Sequence, residues 1–212
     1  MSATVGVLAL QGDVPEHRDL LVRVPGIGSV LEVRTPEHLE RVGALFLPGG
    51  ESTTVSRLLD EFQLREPLVR RLREGLPAFA TCAGLITLAK EIEPSPHGRD
   101  PSPLGILDVR VRRNDYGRQV DSFELPLRFP GLGEAEFLAV FIRAPRILRT
   151  GPRVEVLATD GQSPVAVREG RIWGLTFHPE LAGDIRLHRW FLESTGVLPS
   201  APGVAGASPR AG

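Results

Sequence analysis

The sequence predicts an α/β protein: a three-layer sandwich whose central, mostly parallel sheet is flanked by helices, with antiparallel strands added by the second half of the chain. Two observations carry this. Up to Lys90, short apolar runs alternate with stretches of helical periodicity, as expected for parallel strands covered on both faces. Beyond Lys90, strand candidates follow one another with few helices between them, which favours antiparallel pairing.

Taken in order, Thr4 to Leu10 is the first strand. Gln11-Gly12-Asp13 turns the chain, and Pro15 suits the first turn of a helix reaching Val24. Val30 to Val33 is a strand and Pro36 to Arg41 a short helix. Ala44 to Leu47 is a strand ending in Pro48-Gly49-Gly50. Glu51-Ser52-Thr53-Thr54 opens a helix through Glu61, and Pro67 to Glu74 continues the helical material. Ala78 to Thr81 is a short buried strand, followed by Cys82-Ala83-Gly84 and a helical run from Leu85 to Lys90. Glu93 to Pro103 is rich in Pro, Ser and Gly and reads as a loop. The later strand candidates are Leu107 to Arg112, Ser122 to Leu127, Glu136 to Phe141, Val154 to Ala158, Val165 to Arg168 and Ile172 to Leu175, with Gly170 turning the last hairpin. Asp184 to Glu193 is a closing helix with Leu187, Trp190 and Phe191 on one face. One domain over 1–198 is expected, and 199–212, nearly all Pro, Gly, Ala and Ser, is expected to be a disordered tail.

Composition removes several function classes. The 212 residues carry 25 basic and 26 acidic side chains, a formal net charge of -1, so there is no broad electrostatic case for nucleic acid. A single cysteine excludes an intramolecular disulfide and a Cys-rich metal cluster. The N-terminus, MSATVGVLALQGD, has neither a basic flank nor membrane length, so the reading is a cytoplasmic protein without a membrane span.

Four segments carry chemistry. In PAFATCAGLITLAK, a strand, a sharp turn and a helix set Cys82 at a strand's C-terminal end, near helix N–H groups that favour a thiolate. A lone cysteine is more often a small buried hydrophobe, so the case for a nucleophile needs partners. In GLTFHPE, His178 ends an apolar strand with Glu180 two residues on, a pattern that suits a general base and its orienting acid. His17, beside Glu16 near the end of the first strand, is the rival base. His178 and Glu180 offer too few ligands for a metal. In LFLPGGEST, the Gly-Gly turn before a helix suits a developing oxyanion better than a phosphate, because Glu51 would oppose phosphate. The plainer alternative there is a helix cap by Ser or Thr. In the fourth, RRNDYGRQVDSFE (Arg112 to Glu124) with FIRAP (Phe141 to Pro145), Arg113 and Arg143 suit the carboxylate or backbone of a small amino-acid substrate, whereas Arg112 and Arg118 read as solvated charges.

Cys82, His178 and Glu180 at strand ends, with the Gly-Gly turn, resemble the triad (class I) glutamine amidotransferases. VLALQGDVPEH, LPGGESTT, TCAGLITLAKEI, RRNDYGRQVDSFE, VFIRAPRIL and FHPEL, in this order, are similar to one branch, the glutaminase subunits of two-protein pyridoxal 5'-phosphate synthases. The likeness runs from Val5 to the closing helix. It implies a class I glutamine amidotransferase-like, flavodoxin-like fold, with Cys82 as nucleophile, His178 as base and Glu180 as orienting acid. It implies an L-glutamine site at Gly49, Gly50, Glu51, Arg113, Ile142 and Arg143. Backbone N–H groups at Gly50 and Ala83 would face the oxyanion, and Gln11 would link activation to the synthase subunit. Glutamine would be hydrolysed to glutamate and ammonia with no cofactor and no metal. The ammonia would pass, within a hetero-oligomeric complex, to a barrel-fold partner that makes pyridoxal 5'-phosphate from a pentose 5-phosphate and glyceraldehyde 3-phosphate. Two rivals remain at this stage: another cysteine enzyme of this fold, which YGRQVDSF and FIRAP disfavour, and a binding subunit without chemistry, which an intact triad disfavours.

Overall fold

The computed structural model describes residues 2–96, 100–115 and 122–200. The tail from 201 and the YGRQVD stretch of RRNDYGRQVDSFE, Arg118 included, lie outside the described residues.

A seven-stranded sheet is the frame, in the order β10-β11-β12-β4-β3-β1-β2. Its members are β1 (Ala3–Leu8), β2 (Ile27–Val33), β3 (Leu45–Leu47), β4 (Ala78–Thr81), β10 (Glu155–Thr159), β11 (Pro164–Glu169) and β12 (Ile172–Leu175). The run from β12 to β2 is parallel, while β10, β11 and β12 form an antiparallel meander. Alternation along the central strands divides the core. Phe46, Phe79 and Trp173 face one layer, with α1 (Val14–Leu21) and α6 (Arg186–Ser194). Leu45, Leu47, Ala78, Ala80 and Ile172 face the other, with α3 (Ser52–Glu61), α4 (Arg65–Arg73) and α5 (Ala83–Leu88). Period-two side chains therefore feed two apolar clusters, as a three-layer sandwich requires. A short α2 (Pro36–Glu40) starts at Thr35, whose hydroxyl accepts from the His38 N–H.

Two small sheets complete the fold. One is β5-β6-β9, from β5 (Ala89–Ile92), β6 (Leu107–Arg112) and β9 (Arg146–Thr150). The other pairs β7 (Phe123–Leu127) with β8 (Phe137–Phe141). Two elements differ from the sequence expectation. The helix after Cys82 ends at Leu88 rather than Lys90, because Ala89, Glu91 and Ile92 pair in parallel with Leu107, Arg110 and Val111. And β9, which the sequence did not announce, pairs antiparallel with β6.

Candidate active site

The parallel strands β1, β3, β4 and β12 all deliver candidate residues from their C-terminal ends, where open α/β sheets bind ligands. Cys82 follows β4 directly. Its backbone is left-handed, φ 47° and ψ -102°, a conformation that costs a non-glycine residue about 1–3 kcal/mol and persists only when its surroundings hold it. They do: the Cys82 N–H donates to the Leu175 carbonyl of β12 (2.8 Å), and its carbonyl accepts from Ile86 in α5 (3.2 Å). The free thiol is nearly buried, with Sγ 4.0 Å from the Ile142 carbonyl oxygen.

His178 follows β12, and its N–H is tied to the Val140 carbonyl of β8 (2.8 Å). A 3₁₀ turn over Pro179–Ala182 then brings Glu180 back, so that Oε1 lies 2.8 Å from His178 Nδ1. A second carboxylate reaches the same nitrogen: Asp13 Oδ2, at 3.1 Å. Burial of the imidazole works against its charge. Hydrogen bonds with Asp13, Cys82 and Glu180 outweigh that and push His178 up to about 12. In return, the hydrogen bond to His178 lowers the Asp13 carboxyl from its usual value. The imidazolium is thus the favoured form. Asp13, His178 and Glu180 bring three ligand atoms within 4.8 Å, but a metal there would have to displace the proton the two carboxylates share.

A cavity of about 300 Å³ opens over these groups. Cys82 and His178 line it together with Gln11, Gly50, Glu51, Arg113, Ile142 and Arg143. Glu180 lies behind His178, and Ala83 opens α5 immediately after Cys82. Gly49 packs so closely on the base that a Cβ there would stand 2.3 Å from His178 Cε1. Glu51 is held from the far wall: Oε1 accepts from Arg113 (3.0 Å), and Oε2 lies 3.8 Å from Arg143, another left-handed residue at φ 47°. Arg112 pairs with Glu93 and Asp115 at the surface, as its reading as a solvated charge expects.

The Gly-Gly turn differs from a Ser/Thr-capped helix start. Ser52 and Thr53 lie inside α3, and the Glu51 N–H is taken by the Gln11 side-chain carbonyl at 2.7 Å. Asp13 fastens the other side, its N–H donating to the Gly49 carbonyl at 3.2 Å. Gly12, at φ +102°, permits that approach, since a Cβ there would overlap the Gly49 oxygen. His17, the rival base, does not line the cavity. It is wholly buried behind Glu180, with Nε2 3.4 Å from Glu180 Oε2. Sequence reasoning missed Asp13, Ser52, Ile86, Asn114 and Leu181, which also line the cavity. Of these only Asp13 left a signal, an acidic residue in the turn that ends the first strand.

The chain matches the profile of the SNO glutamine amidotransferase family over residues 7–196. It is 53% identical over 189 residues to the pyridoxal 5'-phosphate synthase subunit PdxT of Thermotoga petrophila, covering 89% of this chain and 97% of that protein. With the PdxT of Pelotomaculum thermopropionicum it shares 55% over 189 residues, covering 89% and 93%. A crystal structure described as a glutamine amidotransferase superposes with a TM-score of 0.80 at 49% identity, covering 91% of this chain and 98% of that one. One chain of the PurLQS structure from Thermotoga maritima, at 16% identity and a TM-score of 0.63 over 93% and 99% of the two chains, shares the fold. The chain belongs to the SNO glutamine amidotransferase family.

Proposed function

We propose that Cys82, His178 and Glu180 form the triad with which this chain hydrolyses L-glutamine to L-glutamate and ammonia, and that the ammonia passes to a barrel-fold pyridoxal 5'-phosphate synthase subunit in a hetero-oligomeric complex. The observation that carries the reading is Cys82, strained into the left-handed region at a strand end and sharing one cavity with an imidazole that two carboxylates hold. Cys82 Sγ attacks the side-chain amide carbon, and the C=O electrons move onto oxygen, toward the Gly50 and Ala83 backbone N–H groups. His178 protonates the departing nitrogen as the C–N bond breaks, leaving a γ-glutamyl thioester. Water then loses a proton to His178 and adds to the thioester carbon, and the C–S bond breaks to release glutamate and restore the Cys82 thiolate beside the His178 imidazolium. Glu51, Arg113 and the Ile142-Arg143 segment hold the amino-acid end of glutamine.

The partner side of the proposal rests on the N-terminal turn and on the PdxT relatives, which are named as synthase subunits. Gln11 and Asp13 bind opposite sides of the Gly49-Gly50 turn. A partner pressing on Gln11-Gly12-Asp13 would therefore change how that turn presents its N–H groups. No helix among the described residues is long and apolar enough to cross a membrane. A reactive thiol fits the reducing cytoplasm, where we place the reaction.

The test is ammonia release from glutamine by the full chain, titrated with the barrel subunit. Parent protein should turn over and accelerate with partner, and Cys82→Ala should lose at least ~10³-fold while keeping its fold. Near-parental rates in Cys82→Ala would end the triad reading. A parent rate indifferent to the partner would leave a stand-alone glutaminase.

A further inference from the structure

Two buried histidines take no part in the mechanism above. Glu180 Oε1 is engaged by His178, but Glu180 Oε2 is buried with no aligned hydrogen bond among the described residues. A carboxylate oxygen left unmatched in the interior is costly, so the group facing it matters. That group is His17 Nε2, at 3.4 Å, which also lies 3.2 Å from Thr81 Oγ1. On the other side of the ring, His17 Nδ1 stands 3.4 Å from His188 Nε2. His188 is wholly buried against Phe46 and Phe79, and its Nδ1 has no hydrogen-bond partner among the described residues.

That orphan nitrogen sets the direction of the whole chain of contacts. A neutral imidazole carries one N–H and one lone pair. With a proton on Nδ1, His188 would bury an unsatisfied donor. It therefore keeps its proton on Nε2 and donates to His17 Nδ1. His17 must then carry its own proton on Nε2, facing Glu180 and Thr81. The opposite tautomers would also turn a His17 lone pair toward a carboxylate. Both rings stay neutral at working pH. Burial pushes His17 down to about 4 against the pull of Glu180, and pushes His188 down to about 3. The charged or titratable groups around them are Glu180, Asp13 and His178 on the site side and Asp184 beyond His188.

The arrangement matters because His178 Nδ1 has one proton and two carboxylates competing for it. Asp13 is partly open to solvent on its turn, whereas Glu180 is sealed in, and among the described residues the group facing its second oxygen is His17. We propose that His17 is a positioning residue of the glutaminase: its Nε2–H, in the tautomer that His188 dictates, holds Glu180 Oε2 so that Glu180 keeps its grip on His178. The inference rests on the triad reading given above.

The test uses the full chain with the barrel subunit present, and two variants. His17→Leu removes the donor, and His17→Gln returns an amide N–H to the position of Nε2. His17→Leu should lower kcat about 10- to 100-fold, the usual loss for a group acting through another side chain, with KM for glutamine within about 3-fold. His17→Gln should recover most of kcat. Equal losses in the two variants, or a loss confined to KM, would overturn the assignment. A second measurement needs neither variant nor activity. In the parent protein with ¹⁵N-labelled histidine, His17 should be the neutral Nε2–H tautomer at about pH 7; an Nδ1–H tautomer or an imidazolium would overturn the proposal. If the parent releases no ammonia, the triad reading fails on its own, and the tautomer still decides for or against the contact.

Discussion

Arg113 and Arg143 are alike in the sequence and unlike in the fold. The Arg113 side chain is 16% exposed and fixed to Glu51 and Asp100, whereas that of Arg143 is 45% exposed and stands 3.8 Å from Glu51. A charged hydrogen bond from a fixed guanidinium is worth ~1.5–3 kcal/mol, and one from a mobile exposed group much less. Arg113→Ala should therefore raise KM for glutamine about 10- to 100-fold, and Arg143→Ala no more than ~5-fold, with kcat the lesser effect in both. Initial rates across a glutamine series check this; a larger KM effect at Arg143 would reverse the ranking. What was legible at this scale was chemistry carried by neighbours in the chain. Cys82 between a strand and a helix and His178 two residues before Glu180 could be read directly. Asp13 could not be read as a partner of His178, because their contact joins the ends of β1 and β12, far apart in sequence. The same holds for the His17–Glu180 contact. Sequence weighed His17 only as a rival base, since nothing local shows that it lies behind the acid.

The closing helix α6 shows how an element is fixed by one face. Leu187, Phe191 and Leu192 are fully buried, and the Phe191 ring meets Phe46, Phe79 and Trp173 at centroid distances of 5.5, 5.2 and 5.6 Å. Phe191→Ala should destabilise the protein by about 3–5 kcal/mol through lost burial and the cavity it leaves. Urea unfolding checks this; a change under about 1 kcal/mol would mean that the layer closes over the gap. That face was readable because Leu187 and Phe191 recur at helical spacing. The central strands were readable because they are short apolar runs ending in glycine, proline or cysteine turns. Two strands were not. Ala89-Lys90-Glu91-Ile92 is built of residues that suit a helix, and it becomes β5 only by pairing with β6. Arg146-Ile147-Leu148-Arg149-Thr150 buries fully only Ile147, and the opposite edge of β6 makes it a strand.

For the molecule as a whole, the buried histidines set a limit in acid. In the unfolded chain His17 and His188 take up protons near pH 6.5, and in the folded protein only near 4 and 3. Between those values the unfolded state binds more protons, so the stability these two rings contribute is complete above about 6.5 and falls as pH drops. His178 does not oppose the trend: its folded value lies above its unfolded one, so its contribution is already full below 6.5. The slope should be of the order of 1 kcal/mol per pH unit for each buried histidine. Thermal midpoints from about pH 7 to about pH 4 check it, and His188→Phe should flatten the fall; a flat profile in the parent would mean that the two rings are protonated in the fold. The architecture also orders events in time. β12 carries the base, and it joins the parallel sheet by docking with β11 and β10 along the free edge of β4. Ribosomes deliver that meander late, after β1, β3 and β4 have been made. Nascent chains that stop short of it hold Cys82, the glycine turn and an open sheet edge, yet lack His178 and Glu180. On the triad proposed above, the site is therefore complete only once its last strand has docked.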